Sequence, residues 1–216
     1  MASATDADIF GETGISPGVS VNSAGFFAQH GIFYVTDPEI GRLVEEIDNE
    51  GLSKNPEALA RCKVQLLRNP HISRILQPIP DQPAYSHTFG TDPGHHFAWT
   101  AREIQNEVVV YLLSKGSRWT FWDGSHIGEI QAFRSPNGWV EVPKAFMRSK
   151  GLKEIDIRMD QGGVVIASPR LVIQFVDGFS SIHVWSTTRP SRDSQEIHRD
   201  AAGYCPQLRN SSDYRA

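Results

Sequence analysis

Two hydrophobic periodicities divide this chain. In its first third, apolar residues recur at helical spacing. Asn22 or Ser23 can cap a short helix that carries Phe26 and Phe27 and ends before Gly31. The β-branched and aromatic run Ile32–Val35 then reads as a strand. Thr36-Asp37-Pro38-Glu39 supplies a cap, a proline for the first turn, and Glu39 placed to complete a capping box with Thr36. Ile40, Leu43, Val44 and Ile47 follow at i, i+3, i+4 and i+7, which predicts a helix over 38–49 stopped by Gly51. A second helical stretch over 56–67 carries Leu59, Cys62, Leu66 and Leu67.

From about residue 104 the pattern changes to short apolar runs and alternations. Strands are predicted over 108–113 and 118–122, the latter stopping at Asp123-Gly124, with a further one among Ile127, Ile130, Ala132 and Phe133. Ile155, Ile157 and Met159 alternate with charged residues, and the segments 164–167, 171–175 and 182–185 complete the series. Helices early and many short strands late imply an α+β fold, an antiparallel barrel or jelly roll buttressed by N-terminal helices. Residues 1–20, small and polar, read as a flexible arm, 21–190 as a single domain, and 191–216 as a polar tail of mixed charge.

Composition narrows the function classes. A chain of 216 residues with a formal net charge of −4 has no basic surplus for a nucleic-acid backbone. Cys62 and Cys205 lie far apart and form no metal-binding spacing or disulfide framework. No secretory signal and no apolar run of the ~18 residues that a spanning helix needs is visible, so no membrane partner and a cytoplasmic location are expected.

Three motifs in order carry a resemblance. The first is Gly25-Phe26-Phe27-Ala28-Gln29-His30-Gly31 with its apolar strand and capped helix. The second is the turn Gly124-Ser125-His126, and the third is the hairpin 162–175. Together they resemble the phytanoyl-CoA dioxygenase family of iron(II)/2-oxoglutarate oxygenases, in which proline usually stands where this chain has Asp123. The resemblance implies a double-stranded β-helix, a cupin-like jelly roll. It also implies iron(II) held by two imidazoles and a carboxylate, and an arginine that clamps 2-oxoglutarate.

Measured against that expectation, the chain lacks the donors. In the closing hairpin Gly163 fills the Asp slot and Ile173 the slot of the distal iron-binding His. Of eight histidines, only His198 is followed two residues on by a carboxylate, Asp200, and that pair lies after the hairpin. His87, His95 and His96 have Phe89, Phe97 and Ala98 in the acidic slot. Counting on to the clamp lands on His183 or Val184, with Trp185 next and Arg189 further along beside Pro190.

Each remaining candidate has two readings. His95 or His96 is a relocated ligand, with Asp92 or Glu103, or part of a polar loop. His126 is a ligand or, as the resemblance implies, a residue serving its turn; His183 faces either side of its strand. Trp119, Phe121, Trp122 and Trp185 line a pocket, form core, or leave at least one ring exposed as an interface. The resemblance, closest to small fungal members acting on terpenoid, meroterpenoid or polyketide intermediates, implies a degenerate, non-catalytic protein with no cofactor expected. It would serve as accessory subunit to an iron-containing paralogue in a heterodimer, or form a homodimer. The alternative is an active oxygenase binding Fe(II) and 2-oxoglutarate through rearranged ligands: His87, Asp92, His95, His96, His126 or His183, or His198 with Asp200. A third class is a metal-free isomerase or cyclase. No catalytic residue is singled out.

Overall fold

The computed structural model describes residues 22–50, 56–76, 83, 85–104, 107–136 and 138–186. Five helices and eleven strands are described: α1 (Ser23–His30), β1 (Ile32–Thr36), α2 (Pro38–Asn49), α3 (Pro56–Arg68), α4 (Pro70–Leu76), β2 (Tyr85–Phe89), β3 (Phe97–Ala98), β4 (Glu107–Leu113), β5 (Ser117–Asp123), β6 (Phe133–Arg134), β7 (Val140–Glu141), α5 (Lys144–Ser149), β8 (Lys153–Met159), β9 (Gly163–Ala167), β10 (Ile173–Asp177) and β11 (Ser180–Ser186).

Local chemistry explains the helix starts. Asn22 Oδ1 accepts the Gly25 N–H at 2.9 Å, and α1 stops at left-handed Gly31, φ 67°. The cap of α2 is Asp37, one residue later than the capping box suggests. Its Oδ1 accepts from Glu39 N at 3.0 Å and Ile40 N at 3.2 Å. Thr36 is held in β1 opposite Gly163, so it cannot cap. The same rule builds α4, which the hydrophobic pattern misses: Asn69 Oδ1 accepts from His71 N and Ile72 N, and Pro70 takes the first helical position. The strand expected over 127–133 shrinks to β6, whose two residues are both exposed.

All strand pairs are antiparallel. A five-stranded sheet runs β1-β9-β4-β11-β2, and a six-stranded sheet runs β6-β7-β3-β10-β5-β8. Between them lies an aromatic interior that includes Tyr111, Trp119, Trp139 and Phe175. The other side of the five-stranded sheet packs under α2, α3 and α4 through Ile40, Val44, Leu66 and Ile72. This is why β4 and β9 read as continuous apolar runs: Val109 and Tyr111 face the interior, while Val110 and Leu112 face the helices. The chain is thus an α+β jelly roll buttressed by N-terminal helices. Among the described residues no helix is long and apolar enough to cross a membrane.

His183 belongs to the helix side. Ile182 and Val184 face the aromatic interior, whereas Trp185 packs in the cluster beneath the helices and the His183 ring lies 5.4 Å from Trp185. Its Nδ1 and Nε2 each lie 3.0 Å from a serine oxygen, that of Ser86 and that of Ser181 respectively. Either serine can accept, so it is burial rather than lost hydrogen bonds that pushes the imidazole down to about 4.

Helix α2 approaches the β8–β9 turn at backbone distance. A Cβ on Gly41 would sit 2.3 Å from Gln161 O, and one on Gly162 would sit 2.4 Å from Gly41 Cα. Gly162 also has φ 78°, a left-handed conformation that a side chain strains. Gly162→Ala is expected to cost more than the roughly 1–3 kcal/mol of left-handed strain alone. Gly116→Ala, at φ 76° with nothing within 4 Å, isolates that strain as a control. Urea unfolding of both variants reads the difference, and equal losses would refute the close-contact argument.

A second expectation concerns acid. His183 has a folded pKa below its unfolded value, so the unfolded chain binds the extra proton. Stability is full above about pH 6.5 and declines as pH falls toward 4. Between pH 7.5 and 5 this amounts to about 2 kcal/mol. Urea midpoints should show that decline, and His183→Gln should flatten it; an unchanged slope would remove His183 from the account.

Candidate functional site

Strand β10 sits between β3 and β5, and this register brings Ile173 beside Phe97 on one side and Phe121 on the other. All three are buried, Ile173 completely. Phe175, two residues on, stacks on Phe89 at 4.3 Å and meets Trp119 edge-on at 4.4 Å. From the opposite sheet Ile182 and Val184 complete this wall. Val184 thus holds one of the two positions reached by counting to a clamping arginine, and His183, the other, faces away. Gly163 has a backbone reason to be glycine, because a Cβ there would lie 2.4 Å from Val35 O. No aspartate fits that slot without moving β1.

Just before β3 the adjacent histidines part to opposite faces. His95 is exposed, stacks on Phe97 at 6.0 Å, and donates from Nδ1 to Glu141 Oε1 at 3.0 Å. Asp92 lies near enough to feel both; burial raises its carboxyl pKa, which His95 counteracts and Glu141 reinforces. His96 turns the other way, edge-on to Trp122 at 5.9 Å, with its buried Nε2 3.8 Å from Glu154 Oε1. Burial and then the Lys144 charge lower its pKa, against the pull of Glu154. Lys144 is itself bound to Glu154 at 2.6 Å and lies over the Trp122 ring at 5.6 Å. Glu103 is exposed.

These positions do not fit an iron(II) site of two imidazoles and a carboxylate. Against the resemblance, Phe97 stands two residues after His95 and Ala98 two after His96, where it calls for a carboxylate, and Ile173 stands where it calls for the distal imidazole. Among the described residues no group of three or more His, Cys, Asp and Glu side chains could hold a metal ion.

The Gly124-Ser125-His126 turn is occupied with α1. Asp123 Oδ1 accepts from His30 Nδ1 at 3.0 Å. His126 packs so tightly on the helix end that a Cβ on Gly31 would lie 2.5 Å from its ring. Burial lowers the His126 pKa, opposed by Asp123 and the Ala28 backbone. Ser125 Oγ accepts the Val172 N–H at 2.8 Å, tying the turn to the start of β10. Asp123, in the usual proline slot, is therefore a partner for His30, a role the sequence did not suggest.

The rings of which at least one was expected at the surface are all buried. Trp119 and Phe121 lie between the sheets, Trp185 lies under the helices, and Trp122 is covered by Val142 and Met147 of the α5 region. The unanticipated helix α5 removes Trp122 from solvent. His87 pairs by backbone register with Ile182, and its side chain falls outside the described residues, as do Arg189, His198 and Asp200. Glu141, Lys144 and Glu154, the partners of the paired histidines, were not legible: nothing in their spacing singles them out, since β7, α5 and β8 bring them together only through the sheet.

No protein-family model matches this sequence, and no curated protein matches it. Solved structures do. One is the non-heme alpha-ketoglutarate-dependent carbocyclase SnoK from nogalamycin biosynthesis, at TM-score 0.51 and 14% identity over 92% of this chain and 94% of that one. Another is the epimerase SnoN, solved with Fe3+, alpha-ketoglutarate and nogalamycin RO, at TM-score 0.51 and 13% identity over 78% and 83%. At such identities the likeness is one of architecture: this chain has the jelly-roll fold that these oxygenase-like proteins use.

Proposed function

We propose that this chain is an oxygenase-fold protein with no iron chemistry of its own, and that it serves as an accessory subunit to an iron(II)/2-oxoglutarate oxygenase in fungal secondary metabolism. One observation supports the first part above all others. The register sets Ile173, the residue counted to the distal imidazole in the resemblance, between the buried side chains of Phe97 and Phe121. No donor group comes to replace that imidazole among the described residues, where Val184 stands at one of the two clamp counts. A relocated pair at the mouth has little to offer, since His95 is already engaged by Glu141 and His96 points to the opposite face.

The pathway reading draws on the architecture shared with a carbocyclase from nogalamycin biosynthesis and an epimerase solved with nogalamycin RO, and on the fungal resemblance of the motifs. The subunit reading draws on apolar surface: Ile127 is 65% and Phe133 53% exposed, both between β5 and β7. Exposed side chains of this size are what an interface covers.

Two measurements test these parts separately. In an anaerobic Fe(II) titration with 2-oxoglutarate, the purified chain is expected to take up no stoichiometric iron and, on admitting oxygen, to form no succinate. Stoichiometric uptake with succinate release would establish the active-oxygenase alternative instead. Mixed with an iron-containing paralogue, the chain is expected to co-elute with it and change its turnover, and Ile127→Ser with Phe133→Ser should weaken that complex at least about tenfold. Neither co-elution nor altered turnover would dispose of the subunit role.

A further inference from the structure

Outside the six-stranded sheet, away from both the aromatic interior and the helical layer, α5 and the loop following Ser125 enclose a recess of about 200 Å³. Val142, Phe146, Met147, Leu152 and Val172 form its apolar walls. The loop side is held in place, because the Arg170 guanidinium donates to Gly128 O and Ile127 N donates to Gly124 O at 3.1 Å. The recess is therefore preformed rather than a gap beneath a loose loop.

Ser125 lines it with an unspent donor. The residue is only 4% exposed and its Oγ accepts the Val172 N–H, yet among the described residues its own proton is given to no acceptor. A buried hydroxyl of this kind is costly unless something else supplies the acceptor. At the rim Lys150 and Glu129 carry opposite charges, and the Lys150 ammonium lies 5.5 Å from the centre of the Phe146 ring, over its face. The balance favours neither an anion nor a cation. An apolar cavity of about 150 Å³ accepts benzene, so this volume suits one ring with a small substituent. A phenyl face and a thioether wall both favour an aromatic occupant.

We propose that this recess is a binding site for a small neutral aromatic molecule carrying one hydrogen-bond acceptor, of the size and polarity of a simple phenol, whose oxygen accepts from Ser125. The site is separate from the interior in which related folds do their chemistry, and it does not depend on the accessory-subunit reading.

Methyl NMR of the full chain labelled at methionine tests this directly. Met147 lines the recess, while Met159 lies between the sheets and serves as an internal reference. Titration with p-cresol is expected to move the Met147 methyl saturably and leave Met159 in place. Toluene, which offers Ser125 no acceptor, should bind about fivefold or more weakly. Leu152→Phe should fill the recess and abolish the Met147 response, with an unmoved Met159 resonance certifying the fold. No saturable shift with p-cresol would overturn the proposal, as would equal movement of both methyls. Equal affinity for the two probes would remove Ser125 from it.

Discussion

Phe175 stands at the centre of the contact between the two sheets. Its ring lies 4.3 Å from Phe89, 4.4 Å from Trp119, and 6.1 Å from both Tyr111 and Trp139. Aromatic pairs in tilted, offset and edge-to-face arrangements bury large areas and lock one another's orientation. Strand β10 supplies this ring on the same face as Ile173, so the packing that joins the sheets also buries the isoleucine of the closing hairpin. Tyr111 illustrates the surroundings: burial drives its phenol pKa upward, far from any ionisation near neutrality.

Polar chemistry is displaced to the ends and outer faces of the sheets. The paired His95 and Glu141 and the His30–Asp123 contact join segments distant in sequence, and the Lys144–Glu154 contact beside His96 joins neighbouring elements. In that order they join the approach to β3 with β7, α1 with the β5 turn, and α5 with an edge strand. Their chemical character is that of clasps on the scaffold. The Ser125 turn is different. It ties β5 to β10 through Val172 and keeps a hydroxyl proton in reserve beside an apolar recess, a combination that a purely structural turn does not require.

Much of the fold was legible because local and tertiary demands agreed. The amphipathic stripe of α2, the alternation of β8 and the apolar runs of β4 and β9 each state how many of their faces are covered. Where they diverged, sequence reading slipped. Thr36 looked like the better cap, but pairing with Gly163 claimed it for the sheet and left the task to Asp37. Strands β2 and β3 carry no clear period, because they exist only by pairing, β2 with β11 and β3 with β7 and β10. Trp122 looked like a candidate for exposure because α5, six residues long and without a side-chain cap, gives almost no helical signal.

By itself the sequence determined that this is an α+β jelly roll, and that isoleucine rather than a metal-binding imidazole occupies the closing hairpin, since both follow from residue type and spacing along a single chain. Only the tertiary structure decided which residues stand beside that isoleucine, which way His183 faces, and that an apolar recess opens behind α5. Those are matters of strand register and side-chain direction, and a shift of one residue reverses every face. Such information exists only once distant segments have paired.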